Sequence, residues 1–338
     1  MNILLTSVGR RGYLVDFFKN AFFGKAKIFT SNSELTVAMK KSDGYLVSPL
    51  IYDDDYIEKI ISFCVLNNIK IVMSLFDIDL LILSKNELLF SENGITLLLA
   101  PYNAIQKCND KWATAQLLRE LNIRTPRTYL SQTSVLEDVN NGDIDFPFII
   151  KPRWGMASIG VYVVNNEDEL LVLYKKCQND ILKTHLKYES AMTPDYSVII
   201  QEYIDGYEYG IDAVNDLNEN FVTCFAKQKI RMRAGETDLG KTVNTFPFHS
   251  IAEKLSNYIK HKGILSIDCI ECNGNVYVIE LNCRISGHYP VSHLAGFDFP
   301  RLLSKWLYNI PVTKSDLTIK ENVVVSKEIA LEVVNDMS

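Results

Sequence analysis

Short apolar runs alternate with helical patterns through the first hundred residues, and this alternation is the strongest constraint on the fold. The runs with strand character are Ile3–Ser7, Lys27–Ser31, Tyr45–Ser48, Ile71–Phe76 and Ile95–Ala100. After Asp54, between two of these runs, apolar residues recur at helical spacing. The pattern predicts a parallel sheet with helices on both faces, so we expect an α/β domain over residues 1–100.

Polar residues stand at the carboxyl ends of the predicted strands, where parallel sheets bind their ligands. Arg10 and Arg11 follow the first strand, so one of them is a candidate for contacting a substrate. A dinucleotide site is the alternative, but it requires G-x-G-x-x-G and an acidic residue after the second strand. Ser7 replaces the first glycine and Asn32 stands near the acidic position, which argues against that alternative.

Composition and charge narrow the class of function. The 338 residues include 35 basic and 41 acidic side chains and no basic stripe, so we expect no nucleic-acid partner. No apolar run reaches about 18 residues and the N-terminus lacks a signal-peptide pattern, so we expect no membrane span. Seven cysteines in a chain of this length favour free thiols, and the cytoplasm is the expected location.

The pattern after Pro101 is mixed and predicts an α+β second half. Asn109-Asp110 predicts a helix cap, and that helix is expected to end before Thr125-Pro126. A long strand near Phe221–Arg233, a helix near Ile251–Lys260 and a hairpin follow. We expect divisions at 101–205, 206–312 and a tail at 313–338 to which no role is assigned.

The hairpin around Gly274 brings oxygen-bearing side chains together. If residues 273–275 form a three-residue loop, Asp268 faces Glu280, and Asn282 lies on the same face as Glu280. Two adjacent carboxylates repel unless a cation or proton lies between them, and hard oxygen ligands suit Mg²⁺ with a nucleotide. The alternative is a solvated hairpin end, since a two-residue Asn-Gly loop would shift the register and separate the carboxylates.

Two other segments have features of nucleotide-binding elements. Lys151 ends a predicted strand, and the loop after it contains Gly155 and Gly160, so backbone N–H groups and an ammonium could surround phosphates. The strand Val198–Glu202 runs into a short connection that could pair with an adenine edge, with Glu208 near the ribose. Taken alone, each segment is more simply explained as an ordinary connection.

The order of these features resembles the ATP-grasp superfamily over about residues 101–312. The matching segments are Asp110-Lys111, Lys151 with its glycine loop, Gln201–Glu208, and Asp268 with Glu280-x-Asn282-x-Arg284. Within the superfamily, the chain is most similar to stand-alone ligases that look like half of a carbamoyl-phosphate synthetase large subunit. The lysine-adding ligase of pyrrolysine biosynthesis belongs to that group. The resemblance implies a Rossmann-like pre-ATP-grasp domain followed by a two-lobed ATP-grasp domain.

The resemblance implies a role for each matching residue. ATP is expected to contact Lys111, Lys151, Gly155, Ser158, Gly160, Gln201, Glu202, Tyr203, Ile204 and Glu208. Mg²⁺, with Mn²⁺ as an alternative, is expected at Asp268, Glu280 and Asn282. Catalytic roles are implied for Arg284, Lys151 and Arg231. The substrate candidates are Arg10, Arg233, Glu236 and His288, and Arg231 and Arg233 are spaced to point at one anionic group.

Two departures from the family pattern concern the acceptor side. Cys283 replaces the proline of Glu-x-Asn-Pro-Arg, and His288 stands where a second glycine is common. Neither departure removes a ligand, but each puts the acceptor pocket in doubt. Cys269 and Cys272 form C-x-x-C, yet residues three apart on a strand point to opposite faces, so core packing is favoured over redox or zinc chemistry.

The expected activity is an ATP-dependent carboxylate–amine ligase that works through an acylphosphate and releases ADP and phosphate. Its expected partners are a small-molecule carboxylate and an amine, such as amino acids, and a homodimer is left open. One alternative is an ATP-binding regulatory protein without ligase activity. The other is a carboxyphosphate-forming enzyme like carbamoyl-phosphate synthetase, but the chain has only one set of motifs where that reaction needs two phosphorylating halves.

Overall fold

The computed structural model describes residues 1–156, 158–191, 193–328 and 332. Its N-terminal part is the predicted parallel sheet. Its elements are β1 (Asn2–Thr6), α1 (Gly12–Ala21), β2 (Ile28–Asn32), α2 (Val37–Lys40), β3 (Gly44–Val47), α3 (Tyr56–Leu66), β4 (Ile69–Ser74), α4 (Asp77–Lys85), α5 (Glu87–Glu92) and β5 (Thr96–Leu97). The strand order β3-β2-β1-β4-β5 changes direction between β1 and β4. Ligand sites of such sheets lie at this change of direction.

A small lobe follows, built on a four-stranded antiparallel sheet in the order β6-β9-β7-β8. Two helices, α6 (Tyr102–Asn109) and α7 (Lys111–Glu120), precede the lobe and pack in the same core as the N-terminal sheet. The elements of the lobe are β6 (Thr128–Tyr129), α8 (Gln132–Asn140), β7 (Phe148–Pro152), β8 (Tyr162–Val164), α9 (Glu167–Leu182), α10 (Lys187–Ser190) and β9 (Val198–Glu202), with a 3₁₀ turn at Pro194–Tyr196. Asp110 caps α7 as predicted, because its carboxylate accepts the N–H groups of Trp112 and Ala113.

The rest of the described chain forms a six-stranded antiparallel sheet in the order β14-β13-β10-β11-β12-β15. Its elements are β10 (Tyr207–Asn215), β11 (Phe221–Arg233), β12 (Glu236–Val243), α11 (Phe246–Ile259), β13 (Gly263–Cys272), β14 (Asn275–Asn282), α12 (Tyr289–Leu294), α13 (Phe299–Leu307), a 3₁₀ turn at Lys314–Leu317, and β15 (Val324–Ser326). β15, from the predicted tail, pairs with β12. Residues 329–331 and 333–338 of that tail lie outside the described residues.

Hydrophobic cores divide the molecule into a body and a lobe. Leu4 and Val72 of the N-terminal sheet share one core with Ile211 and Leu265 of the six-stranded sheet. The small lobe has a separate core that includes Phe148. The two larger sheets are therefore one packed body. The small lobe is the part whose motion would expose the least apolar surface.

The β13–β14 hairpin differs from the predicted one in two ways that cancel. Cys272 pairs with Asn275, so the loop has two residues, both with positive φ, and the predicted three-residue loop is wrong. A bulge at Ile279 adds one residue to β14, since Cys269 pairs with Val278 and Asp268 with Glu280. The carboxylates therefore face each other as predicted, and the expected separation by a two-residue loop does not occur.

Candidate functional site

A cavity of about 390 Å³ lies between the small lobe and the six-stranded sheet. Most of the predicted site residues line it: Lys111, Lys151, Gly155, Ser158, Gln201, Glu202, Tyr203, Ile204, Glu208, Glu236, Asp268, Glu280, Asn282, Arg284 and His288. Its volume falls in the range of small-molecule and cofactor sites, roughly 300 to 1,000 Å³. Residues far apart in the sequence thus meet around one space of suitable size.

The floor of this cavity carries the paired carboxylates, each beside a lysine. Lys229 Nζ lies 2.7 Å from Asp268 Oδ1, and Lys111 Nζ lies 3.4 Å from Glu280 Oε1. Burial raises the pKa of the Asp268 carboxyl, but Lys229 and His288 lower it by more, so it lies well below its usual value. Asp268 is therefore ionised at neutral pH and ready to bind a cation.

The oxygen atoms on this floor fit a magnesium ion that also binds phosphate. Asp268, Glu280 and Asn282 offer two carboxylates and an amide oxygen, which are hard ligands. Among the described residues, no cluster of three or more His, Cys, Asp or Glu side chains is placed to hold a metal by itself. An ion here would complete its coordination with phosphate oxygens and water, as Mg²⁺ does in nucleotide sites.

Two lysines define the part of the cavity that suits phosphate. Lys151 is buried at the end of β7, and burial together with the nearby Lys111 lowers its pKa to about 8. Lys111, the first residue of α7, donates to the Gly155 carbonyl. Arg153 binds the cap residue Asp110, with Nε 2.7 Å from Oδ1, and so ties the start of α7 to the glycine loop. Two neighbouring ammonium groups leave a place for an anion.

The side chains of Gln201 and Glu202 serve the structure of the small lobe. Gln201 Nε2 donates to Thr128 Oγ1 at 3.0 Å, and Glu202 accepts the N–H of Arg127 at 3.0 Å. Both bonds hold the first part of the lobe against β9. The connection that begins at Tyr203 faces the cavity. This connection is the segment predicted from the sequence to contact adenine.

Arg284 is fixed by a residue from the N-terminal domain. Its Nε lies 2.9 Å from Asp77 Oδ1 and its Nη2 lies 2.5 Å from Asp77 Oδ2, a bidentate pair. Burial lowers the pKa of Arg284, but Asp77 raises it by more, so the guanidinium stays charged. Asp77 begins α4, just after β4, and its strand-end position was the available sequence signal.

Four predicted residues do not line the main cavity. Arg231 and Arg233 are more than half exposed, and both bind Asp238 Oδ2, at 2.6 and 3.2 Å. The anionic group they share is thus a neighbour on β12, and the position of Arg231 does not support the predicted catalytic role. Gly160 has a positive φ and packs on Pro152. Arg10 lines a second cavity.

His288 lies beneath the carboxylate floor and is almost fully buried. Its Nε2 is 2.7 Å from Ser266 Oγ and 3.5 Å from Asp268 Oδ1, and its Nδ1 is 3.3 Å from Asp212 Oδ1. A Cβ at position 210 would meet the ring at 2.5 Å, which explains the glycine there. The geometry favours a role in holding Asp268 over the predicted contact with substrate.

Lys229 is a cavity residue that was given no role from the sequence, and Arg11 was predicted only as an alternative to Arg10. Lys229 alternates with Lys227 on β11, a period-two pattern that was visible but not used. Arg11 reaches both the Leu75 carbonyl and Glu236, whose Oε1 is 3.3 Å from Nη2. Arg11, rather than Arg10, is the arginine of this pair that reaches the main cavity.

Two family models match the chain. The PylC-like N-terminal domain matches residues 3–98, and the ATP-grasp domain matches residues 108–288, which is more than half of the chain. The carbamoyl phosphate synthase arginine-specific large chain of Bacillus subtilis is 27% identical over 209 residues, 59% of this chain and 19% of that protein. The large chain of Hyperthermus butylicus is 24% identical over 224 residues, 62% of this chain and 19% of that protein. The chain thus spans about a fifth of the length of these relatives.

Solved structures show the same fold at low identity. The biotin carboxylase domain of Hydrogenobacter thermophilus 2-oxoglutarate carboxylase, in complex with MgADP, ADP and bicarbonate, matches with a TM-score of 0.75 and 15% identity over 96% of this chain and 73% of that one. An L-amino acid ligase from Bacillus licheniformis matches with a TM-score of 0.66 and 18% identity over 95% and 77%. None of the described helices is long and apolar enough to cross a membrane. The chain belongs to the ATP-grasp family and carries a PylC-like domain in front of its ATP-grasp domain.

Proposed function

We propose that the protein is an ATP-dependent carboxylate–amine ligase that forms an amide bond through an acylphosphate. The observation that carries this proposal is the meeting of Lys111, Lys151 and Arg284 with the facing pair Asp268 and Glu280 in one cavity. The cations suit phosphates, and the carboxylates would hold a metal ion that neutralises the phosphates further. Phosphoryl transfer needs such positioning and charge neutralisation, and no protein nucleophile.

The first step transfers the terminal phosphoryl group of ATP. A carboxylate oxygen of the substrate attacks the terminal phosphorus, and the bond to the bridging oxygen breaks, so that ADP leaves with the electron pair. Lys111 and Lys151 neutralise the phosphate oxygens, and Arg284, held by Asp77, offsets charge on the transferring group. Mg²⁺ bound at Asp268, Glu280 and Asn282 would supply further neutralisation between the phosphates.

The second step forms the amide. An amine nitrogen attacks the acyl carbon, the carbon–oxygen bond to phosphate breaks, and inorganic phosphate leaves while the amine loses a proton. Water must be kept out, because it would hydrolyse the acylphosphate. The small lobe has its own core and carries the glycine loop, so its closure over the body is the movement suited to that task.

Phosphate release and product formation test this proposal directly. The purified protein is incubated with ATP, Mg²⁺ and pooled amino acids, and ATP-dependent products are identified by mass spectrometry. We expect Glu280→Gln to lower turnover roughly 100-fold or more, because a ligand to the metal is lost. Glu253→Gln, which changes an exposed carboxylate on α11, is the matched control and is expected to be unaffected. Phosphate release that no acyl or amine compound stimulates contradicts the ligase proposal.

A further inference from the structure

A row of buried polar side chains continues from Asp268 away from the cavity. His288 follows Asp268 in this row, and behind the histidine lie Asp212 and Lys227, which are fully buried and do not line the cavity. A buried ion pair stabilises a fold no better, on average, than apolar residues of similar size. Stability alone therefore does not explain why Asp212 and Lys227 lie behind a proposed metal ligand.

The pairing of β10 with β13 creates the place that the histidine ring occupies. Gly210 is opposite Asp268, and Asp212 is opposite Ser266. Residues two apart on a strand share a face, so these four positions form one patch. The ring of His288 lies on this patch in the space that Gly210 leaves free, since a Cβ there would meet the ring at 2.5 Å. The register of the sheet thus places one ring nitrogen near each carboxylate.

Asp212 fixes one nitrogen of the ring. Asp212 Oδ1 and His288 Nδ1 lie 3.3 Å apart, both atoms are buried, and neither has another polar partner among the described residues. The second oxygen, Asp212 Oδ2, accepts from Lys227 and, at 2.7 Å, from the hydroxyl of Ser292. Asp212 is thus held from behind, so its position determines the orientation of the ring.

The other ring nitrogen reaches Asp268 at the oxygen that Lys229 also contacts. His288 Nε2 lies 3.5 Å from Asp268 Oδ1 and 2.7 Å from Ser266 Oγ. Lys229 Nζ lies 2.7 Å from the same Oδ1. That oxygen is buried, whereas the Asp268 side chain as a whole is 16% exposed and lines the cavity. Oδ2 is therefore the oxygen of Asp268 that is open to a metal ion.

We propose that Asp212 is a positioning residue for the metal site. Asp212 orients His288, and His288 together with Lys229 holds Asp268 Oδ1 so that Oδ2 points into the cavity. The inference rests on the Mg²⁺ site of the proposed function and adds to it a residue that does not line the nucleotide cavity. Replacing partners that stand behind a metal ligand typically changes metal affinity or activity roughly 10- to 100-fold.

A double variant removes Asp212 without leaving Lys227 unpaired. Asp212→Leu with Lys227→Met replaces two buried charges by apolar side chains, a type of change that is often neutral or stabilising. We expect ADP to bind about tenfold weaker or more in the presence of Mg²⁺, because Asp268 loses its orientation. In the presence of a chelator, the affinity for ADP should stay within about twofold. Calorimetric titration of the full chain measures both affinities, and thermal unfolding checks the fold.

Two single variants test the ring itself. In Gly210→Ala the added Cβ displaces the ring from Asp268 without removing a polar group. In His288→Asn the side chain is too short to reach Asp268. We expect both to show the same selective loss of affinity for ADP with Mg²⁺. His261→Asn is the matched control, because His261 is also buried in this domain but binds the Ala213 carbonyl, and it should leave both affinities within about twofold.

The two affinities separate the failure of this inference from the failure of the proposed function. In folded variants, equal losses with and without Mg²⁺, or no loss at all, overturn the inference and leave the metal site intact. Equal losses are the result expected if Asp212 and His288 serve only the fold. If the original chain binds ADP no more tightly with Mg²⁺ than with a chelator, the metal site of the proposed function is wrong, and the inference fails with it.

Discussion

Lys151 is buried beside another lysine, and both conditions oppose its positive charge. The pKa of the ammonium is about 8, below its ordinary value of 10.5. A bound phosphate is the group that compensates this arrangement, so the residue is prepared for an anion. The same arrangement makes the charge of Lys151 sensitive to pH within a range that enzymes tolerate.

We expect kcat/KM for ATP to fall as the pH rises through about 8, because the free enzyme then loses the Lys151 charge that attracts phosphate. The sign follows from the lowered pKa, because the side chain of Lys151 is a charged ammonium below about pH 8 and a neutral amine above it. The measurement is a rate profile over roughly pH 6.5 to 9.5. Lys151→Arg should remove this decline, whatever its maximal rate, and exposed Lys183→Arg should retain it. A flat profile for the original chain contradicts the assignment.

The individual residues show what the sequence can and cannot predict. Glu280 and Asn282 were predictable as neighbours on one face because strand spacing fixes their faces. The facing of Asp268 and Glu280 was predicted from a three-residue loop, and it holds because the bulge offsets the shorter turn. Asp77 and Lys229 carried local signals, a strand end and period-two spacing, but each pairs with a residue more than thirty positions away, so the two ion pairs were not predictable. Arg231 was assigned a catalytic role because nothing local indicated that β12 places Asp238 beside it.

At the scale of elements, the β13–β14 hairpin shows how one face is set by two local features. The two-residue turn alone would place Asp268 opposite Ile279 and turn Glu280 away. The bulge at Ile279 moves Glu280 into that place. From the sequence, the turn was predictable only as a choice between two loop lengths. A bulge has no reliable local signal, because its position depends on how both strands pack against the core.

We expect deletion of Ile279 to keep the metal site, because a regular two-residue hairpin then pairs Asp268 with Glu280 directly. Mg²⁺-dependent ATP turnover should stay within about tenfold of the original chain, measured as phosphate release. Deletion of Leu281, two positions later, should abolish it, because Asn282 then moves to the face opposite Glu280. Circular dichroism checks that both variants fold. Loss of turnover in a folded Ile279 deletion would show that the bulge itself is required.

At the scale of the molecule, the ion pair between Asp77 and Arg284 joins the N-terminal domain to the end of β14. Both side chains are about nine-tenths buried. We expect Asp77→Asn to destabilise the fold by about 3 kcal/mol or more, because it leaves a buried charge without its partner. We also expect kcat to fall about tenfold or more while the affinity for ADP changes little, because Arg284 loses its orientation.

Thermal unfolding, steady-state kinetics and ADP titration check this prediction together. Asp54→Asn, an exposed carboxylate before α3, is the control and should change none of the three. A folded Asp77→Asn variant with an unchanged kcat contradicts the positioning role. A loss of ADP affinity as large as the loss of kcat would place Asp77 in nucleotide binding instead.

The parallel N-terminal sheet, the two-lobed ATP-grasp domain after it and the family were predicted and are confirmed. Period-two and helical spacing are local signals, so they can be read without knowing the tertiary contacts. The sharing of one core by the first and last sheets was not predictable, since it depends on contacts between segments more than a hundred residues apart.

That shared core has a consequence for synthesis on the ribosome. The core that includes Leu4 and Val72 also includes Ile211 and Leu265, which lie on strands that follow the whole small lobe in the sequence. At roughly 5 to 20 residues per second, making about a hundred intervening residues takes on the order of 5 to 20 seconds. The first domain therefore emerges with its partner surface still unmade, and the lobe, which needs no other segment for its core, completes first.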